Sequence, residues 1–176
     1  MRQPRRPAPP LDREKLERLA LRYVERFATT RGRLVDYLRR KIRERGWQGE
    51  PADPDALAER FAELGYVDDL AYAEAKAAAM TRRGLGVRRV ADALRHARVE
   101  AEDMEVVTPD VAERAPEAAL AHARRKRFGP YAARPADRDL LAKQLASMAR
   151  AGHGYELSRR ILELPPGAEV DPEELR

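Results

Sequence analysis

Adjacent carboxylates at Asp68 and Asp69 are the side chains of this sequence best suited by type to acid–base or metal chemistry. That chemistry requires the two groups to converge on one proton or one cation. Asp68 immediately precedes an apolar helical pattern, where its side chain can accept hydrogen bonds from unpaired N–H groups and oppose the helix dipole. Consecutive residues in a first turn also point in different directions. The pair therefore predicts a helix N-cap rather than a catalytic or metal site.

A glycine turn, Gly84-Leu85-Gly86, begins like a phosphate-binding loop. The dinucleotide fingerprint needs a third glycine, but Arg89 occupies that position and no strand pattern precedes the turn. No Lys-Ser or Lys-Thr pair follows, which excludes a nucleotide P-loop. We interpret the segment as a connection between two helices. The turn is bracketed by Arg82, Arg83, Arg88 and Arg89.

The remaining candidates for catalysis are few. His96, His122 and His153 are isolated in the sequence, and none forms an i,i+4 pair of the kind that binds zinc on a helix. Ser147 and Ser158 are the only serines, and neither lies in a nucleophile-elbow motif. The absence of cysteine excludes disulfides, thiolate metal sites and a cysteine nucleophile. The sequence therefore predicts a protein that is not an enzyme and that has no cofactor or metal.

The strongest run of charge is Arg124-Arg125-Lys126-Arg127, at the C-terminal end of a predicted helix. Basic residues at that position compensate the helix dipole, which is the structural alternative. Four in succession exceed that requirement, and a basic stripe of this kind could bind phosphates or an acidic protein surface. No aromatic array is interleaved for base stacking, so sequence-specific RNA reading is not expected. The predicted partner-binding residues are Arg82, Arg83, Arg88, Arg89, Arg124, Arg125, Lys126, Arg127 and Arg138.

The composition is typical of a helical protein with a thin core: 43% of the 176 residues are hydrophobic, 6% are aromatic and 37% are charged. The net charge of +5 is carried mainly by arginine. Arginine favours nucleic acid or acidic protein partners, although a GC-rich genome explains the same bias equally well. No apolar stretch approaches the ~20 residues that span a membrane, and the N-terminus lacks the apolar core of a signal peptide. We expect a cytoplasmic monomer.

Apolar residues recur at steps of three and four along most of the chain, which predicts nine helices. Asp53-Pro54 is a favoured helix start, and Gly65 is a favoured left-handed stop. A short helix is expected over residues 101–107. Pro109 and Pro116 then interrupt the pattern, so we place Pro116 in the first turn of the following helix.

Nine helices in sets of three predict an all-α fold of three tandem three-helix repeats, each partly burying its apolar face against its neighbour. Residue-level similarity between the sets is weak, so shared amphipathic character is an alternative explanation. The predicted segments are a disordered basic proline-rich tail at 1–11, repeats at 12–65, 66–108 and 109–164, and an acidic tail at 165–176.

The segment from Leu64 to Leu94 resembles the central signature of the RecX family, which comprises regulators of the RecA recombinase. The runs Ala123–Lys126 and Gly152–Tyr155 are similar to the family's third unit. Two departures stand out: Arg98-Val99 replaces the usual glycine and aliphatic residue, and His153 replaces a phenylalanine. The residues that carry the signature are Gly65, Tyr66, Asp68, Tyr72, Ala73, Gly84 and Leu94.

This resemblance covers residues 13–163 and implies an elongated, curved array of three three-helix repeats. It implies a protein of DNA repair and recombination that binds the RecA–DNA filament and limits its growth, ATP hydrolysis and strand exchange. Some family members also contact DNA directly. Two rival hypotheses draw on the same arginines: sequence-independent binding of single- or double-stranded DNA, and a helical adaptor for another acidic protein.

Overall fold

A computed structural model describes residues 9–176, and within that range the chain is all-helical. The predicted tail at 1–11 therefore lies largely outside the described residues. Of its last three positions, Leu11 is fully buried and forms an isolated β-bridge with Trp47, so the ordered core begins before residue 12. No helix in the described range combines the length and hydropathy needed to cross a bilayer.

Nine α-helices occupy the described range, together with 3₁₀ turns at Gly129–Tyr131 and Pro172–Leu175. The helices are α1 Arg13–Val24, α2 Arg31–Arg45, α3 Pro54–Glu63, α4 Asp69–Arg82, α5 Val87–His96, α6 Ala101–Glu113, α7 Ala115–Lys126, α8 Arg138–Arg150 and α9 Tyr155–Glu163.

Helix ends follow the capping residues that the sequence supplies. The carboxylate of Asp53 accepts the N–H of Ala56 at 2.9 Å, and Pro54 opens α3 as predicted. Gly65 follows α3 with φ +76°, a left-handed conformation that suits glycine. Pro116 lies in the first turn of α7. N–H groups in a first turn have no acceptor within the helix, so proline costs no hydrogen bond there.

One predicted helix end is wrong. The helix expected over 101–107 continues to Glu113, with Pro109 inside it. Proline removes one hydrogen bond from a helix interior, yet burial can compensate for that loss. Val107 and Val111 are both buried, 5% and 4% exposed, and their i,i+4 spacing puts them on one face. Packing on both sides of Pro109 therefore carries the helix past it.

The packing of the chain distinguishes two units. The first comprises the residues up to Tyr72 together with Ala97–Val99, and the second comprises Ala73–His96 with Glu100–Arg176. The grouping into three repeats stays a prediction. The buried core of the first unit is Leu11, Leu16, Ala20, Leu34, Val35, Leu38, Ala58, Phe61 and Val67. A buried cluster of the second unit contains Ala119, Leu120, Ala123, Met148, Ile161, Leu162 and Leu175.

The Ala97–Val99 segment joins the first unit through polar contacts with α2. The hydroxyl of Thr30 donates to the carbonyl of Ala97. Arg98 pairs with Asp36 at 3.2 Å and has φ +60°. A left-handed backbone favours glycine, and arginine bears the strain at this position.

The C-terminal acidic segment packs more closely than its charge suggests. We expected residues 165–176 to be a tail, but Leu175 is only 8% exposed and joins the second unit's core. The guanidinium of Arg160 donates to the carbonyls of Leu175 at 3.0 Å and Glu174 at 2.5 Å. Leu175, with the partly buried Val170, and the contacts of Arg160 thus hold this segment against the second unit.

The two adjacent aspartates have separate structural roles. Asp68 caps α4, because its carboxylate accepts the N–H of Ala71 at 2.8 Å, as predicted. Asp69 is buried; its carboxylate accepts the N–H of Arg31 at 2.8 Å and lies 3.5 Å from the same residue's guanidinium. The two carboxylates therefore act on different elements of the first unit and do not converge.

Replacing Asp69 with alanine is expected to destabilise the fold by about 2–4 kcal/mol, because it leaves the partly buried N–H of Arg31 without its carboxylate. Asp68→Ala removes only an exposed cap and should cost about 1 kcal/mol. Urea unfolding of both variants measures the difference. Equal losses would contradict the separate roles.

Candidate partner-binding surface

The turn between α4 and α5 lies against the turn between α8 and α9 in the second unit. The N–H of Gly86 donates to the carbonyl of Ala151 at 2.8 Å, and the N–H of Arg88 donates to the carbonyl of Gly152 at 3.2 Å. A Cβ added at Gly86 would lie 2.4 Å from the Gly152 oxygen. Glycine at residue 86 is therefore required for this close approach of two backbones.

Four arginines of this turn, Arg82, Arg83, Arg88 and Arg89, are exposed, and none forms an ion pair within the described residues. Three other arginines of the second unit, at 95, 114 and 159, pair with carboxylates three or four residues away in the chain. The turn is thus a local concentration of uncompensated positive charge, which attracts phosphates and carboxylates.

Arg125 connects α7 to this turn. Its Nη1 donates to the carbonyl of Arg83 at 2.6 Å, just beyond the C-terminal end of α4. Unpaired carbonyls at a helix C-terminus carry partial negative charge, so a guanidinium is well placed there. We call the set Arg82, Arg83, Arg88, Arg89 and Arg125 the basic junction.

Other residues of the predicted partner-binding set lie apart from these contacts. Arg124 lies over the ring of Tyr131, 5.1 Å from its centroid. Lys126 and Arg127 are exposed at the end of α7, and Arg127 has φ +58°. Arg138 is exposed at the first position of α8. Among the described residues, these four make no polar contact with the turn, so Arg125 is the residue that connects the basic run of α7 to it.

Arg150, at the end of α8, was missed by the sequence analysis. It is exposed, immediately precedes Ala151 and has no ion pair within the part of the chain described. A basic residue in the last turn before Gly152 was the available signal. It adds a further positive charge next to Ala151, whose carbonyl accepts the N–H of Gly86.

Two buried histidines lie beneath the basic junction, although their sequence spacing gave no indication of contact. The rings of His122 and His153 are 5.5 Å apart between centroids, and both residues are about 95% buried or more. His153 Nε2 lies 3.1 Å from the carbonyl of Gly84. A Cβ at Gly84, whose φ is +73°, would lie 2.8 Å from the backbone nitrogen of His122. Both histidines therefore contact the glycine turn.

Burial keeps these imidazoles uncharged. It lowers the pKa of His122 from 6.5 to about 4, with smaller contributions from nearby His153, Arg125 and Lys126. Burial also lowers the pKa of His153, although the hydrogen bond to Gly84 acts in the opposite direction. Both rings are accordingly neutral at pH 7 in the folded chain.

Acidification is expected to destabilise the fold through His122. Between pH 6.5 and about 4 the unfolded chain binds a proton that the folded chain excludes, so stability falls as the pH is lowered, by roughly 2 kcal/mol across this window. Above pH 6.5 this group contributes no pH dependence. Urea midpoints at several pH values, compared with those of His122→Asn, isolate the effect from the carboxylates. Parallel profiles for the two proteins would contradict it.

The residues that carry the resemblance pack against neighbouring side chains, form hydrogen bonds or lie at helix ends. Tyr72 accepts a hydrogen bond from Arg33 at 2.8 Å, and Tyr66 is 54% exposed with its ring tilted against Phe61. Ala73, Gly84 and Leu94 are buried. With Gly65 and Asp68 at helix ends, these positions shape the helices and turns.

The described residues contain no group of three or more histidine, aspartate or glutamate side chains placed to hold a metal ion. The fold and its surface thus define an all-helical protein with an uncompensated arginine surface over a buried histidine pair. No family model matches the chain, and no solved structure gives a significant match.

Curated relatives identify the family. The regulatory protein RecX of Myxococcus xanthus is 33% identical over 162 residues, which cover 86% of each chain. The regulatory protein RecX of Thermobifida fusca is 32% identical and covers 89% of this chain and 84% of its own, and that of Agrobacterium fabrum is 29% identical over 82% and 80%. The chain belongs to the RecX family of regulatory proteins.

Proposed function

We propose that this chain is a non-enzymatic regulator that binds the RecA recombinase on DNA and limits ATP hydrolysis, filament growth and strand exchange. The basic junction is the surface that makes the contact. The observation that carries this proposal is the set of four exposed arginines without an intramolecular carboxylate, in a chain whose relatives are named regulatory proteins.

A recombinase filament offers the two chemical groups that such a surface binds: the phosphates of DNA and the carboxylates of acidic side chains. The guanidinium fork forms paired hydrogen bonds with either group. Because the turn arginines have no intramolecular ion pair within the described residues, binding need not break one first. The surface is therefore available at little energetic cost.

The proposed architecture is the array of three three-helix repeats, in which the glycine turn belongs to the middle repeat. A repeat array presents turns of successive units along one edge, which suits a partner that is itself a repeating polymer. We place the protein in the cytoplasm, where the recombinase acts, and propose that it is a monomer.

DNA-dependent ATP hydrolysis by the cognate RecA, measured with increasing amounts of this protein, tests the proposal. We expect hydrolysis to fall at concentrations comparable to that of the recombinase. An unchanged rate at a stoichiometric ratio or above would refute the proposed function.

Direct titration with single- and double-stranded DNA at several salt concentrations separates filament binding from DNA binding. Each phosphate contact adds about 0.7–0.9 to the slope of log affinity against log salt. We expect weaker affinity for bare DNA than for the filament. Tight binding to bare DNA with a steep salt slope would favour the DNA-binding hypothesis instead.

A further inference from the structure

Arg125 has more polar contacts than its exposed position suggests. Its Nη1 donates to the carbonyl of Arg83, and its Nη2 lies 3.4 Å from Nδ1 of His122, one turn back on α7. A guanidinium has five N–H donors and no acceptor. The two contacts fix its plane and leave the remaining donors for solvent or a partner.

The contact with Arg125 defines the tautomer of His122. Because a guanidinium can only donate, Nδ1 must be the lone-pair nitrogen, and the ring proton belongs on Nε2. Nε2 lies 3.4 Å from the hydroxyl of Ser147 on α8, which can accept it. A lowered pKa of about 4 is consistent with a neutral ring that keeps this acceptor at pH 7.

We propose that His122 is a positioning residue for partner binding: its buried Nδ1 holds the Arg125 guanidinium on the carbonyl of Arg83 and so preorganises the basic junction. His122 is only 5% exposed and acts through Arg125 rather than by touching the partner. Preorganisation raises affinity because the side chain loses less freedom on binding. This inference rests on the proposed function.

His153 contacts the neighbouring carbonyl of the same segment. Its Nε2 contacts the carbonyl of Gly84, while Arg125 contacts the carbonyl of the preceding residue. The consecutive carbonyls of Arg83 and Gly84 are thus contacted by side chains from α7 and the α8–α9 turn. The backbone that carries the exposed arginines is fixed at both positions.

Two matched variants at His122 test the role of its Nδ1 as a hydrogen-bond acceptor. Asparagine places an amide oxygen at the position of Nδ1, whereas leucine places a methyl group there, and both lack Nε2. We expect His122→Leu to weaken binding to the RecA–DNA filament by about fivefold, and His122→Asn to retain wild-type affinity within about twofold. Loss of affinity in both variants to the same degree would overturn the role of the acceptor.

A double-mutant cycle tests whether His122 acts through Arg125. In a chain that already carries Arg125→Met, His122→Leu should cause little further loss of filament affinity, because the guanidinium that His122 positions is already absent. Additive losses of affinity would overturn the proposal.

Side-chain nitrogen NMR of the isolated chain separates this inference from the proposed function. The Arg125 guanidinium protons should exchange slowly in the wild type and in His122→Asn, and rapidly in His122→Leu. Slow exchange in all three would overturn the positioning role. A wild type that shows the expected NMR pattern but does not bind the filament would refute the proposed function alone.

Discussion

Gly86→Ala is expected to lower the stability of the second unit by about 3–5 kcal/mol. The added Cβ would lie 2.4 Å from the carbonyl oxygen of Gly152 and 2.6 Å from the nitrogen of His153. These neighbours are backbone atoms, so the clash cannot be relieved by rotating a side chain. Separation of the two turns would also break the hydrogen bonds from Gly86 and Arg88.

Gly154→Ala is the matched control for that variant. It lies in the α8–α9 turn, against which Gly86 packs, has φ −67°, and an added Cβ would meet no atom within 4 Å. We expect it to change stability by less than about 1 kcal/mol. Thermal denaturation should show a fall of roughly 10 °C for Gly86→Ala and little change for the control. Similar midpoints for the two variants would contradict the close packing of the turns.

Reversing the charge of Arg88 and Arg89 together should raise the concentration needed to inhibit RecA ATP hydrolysis by at least about 30-fold. The change replaces two attractive contacts with repulsion, and losing one charge-paired contact at an interface alone costs about 2 kcal/mol or more. Both side chains are exposed and without an ion pair among the described residues, so the fold should remain intact.

Arg22→Glu with Arg43→Glu provides the control for net charge. These arginines are exposed on α1 and α2 of the first unit, without ion pairs in the described range, and their reversal changes the charge by the same amount. We expect inhibition close to that of the wild type. Equal loss of inhibition in both double variants would indicate a general effect of charge and not a surface at the basic junction.

Much of the fold could be predicted from local chemistry. The starts and ends of helices depend on residues such as Asp53, Gly65 and Asp68, whose capping roles follow from side-chain oxygens or from freedom at positive φ. These interactions are made within a few residues, so the sequence contains all of their participants. The family resemblance was carried by several of the same positions, and the relatives confirm it.

The contacts that depend on packing could not be predicted. Nothing in the spacing of His122 and His153 indicates that their rings meet, because the contact requires α7 and the α8–α9 turn to be brought together. Pro109 predicts a helix break, yet burial of neighbouring valines overrides it. Leu175 lies in an acidic stretch of sequence that gave no indication of burial. It is buried because it joins a cluster formed by helices distant in sequence.

For the basic junction, the glycine turn and its arginines were apparent from the sequence, but its connection to α7 was not. Arg125 and Arg124 are adjacent in one basic run, and only the structure shows that the first contacts the turn while the second lies on Tyr131. Adjacent residues on a helix point about 100° apart, so a linear charge run does not define one surface. Their roles in binding stay predictions.

Site-specific crosslinking from position 88 tests most directly whether the basic junction contacts the filament. The chain has no cysteine, so Arg88→Cys offers a single attachment point for a photoactivatable maleimide, and Arg43→Cys offers a matched one in the first unit. With the RecA–DNA filament, position 88 should form a covalent adduct with the recombinase or its DNA, and position 43 should form little. Adducts from position 43 alone, or none from position 88 when the labelled protein still inhibits ATP hydrolysis, would contradict the proposed surface.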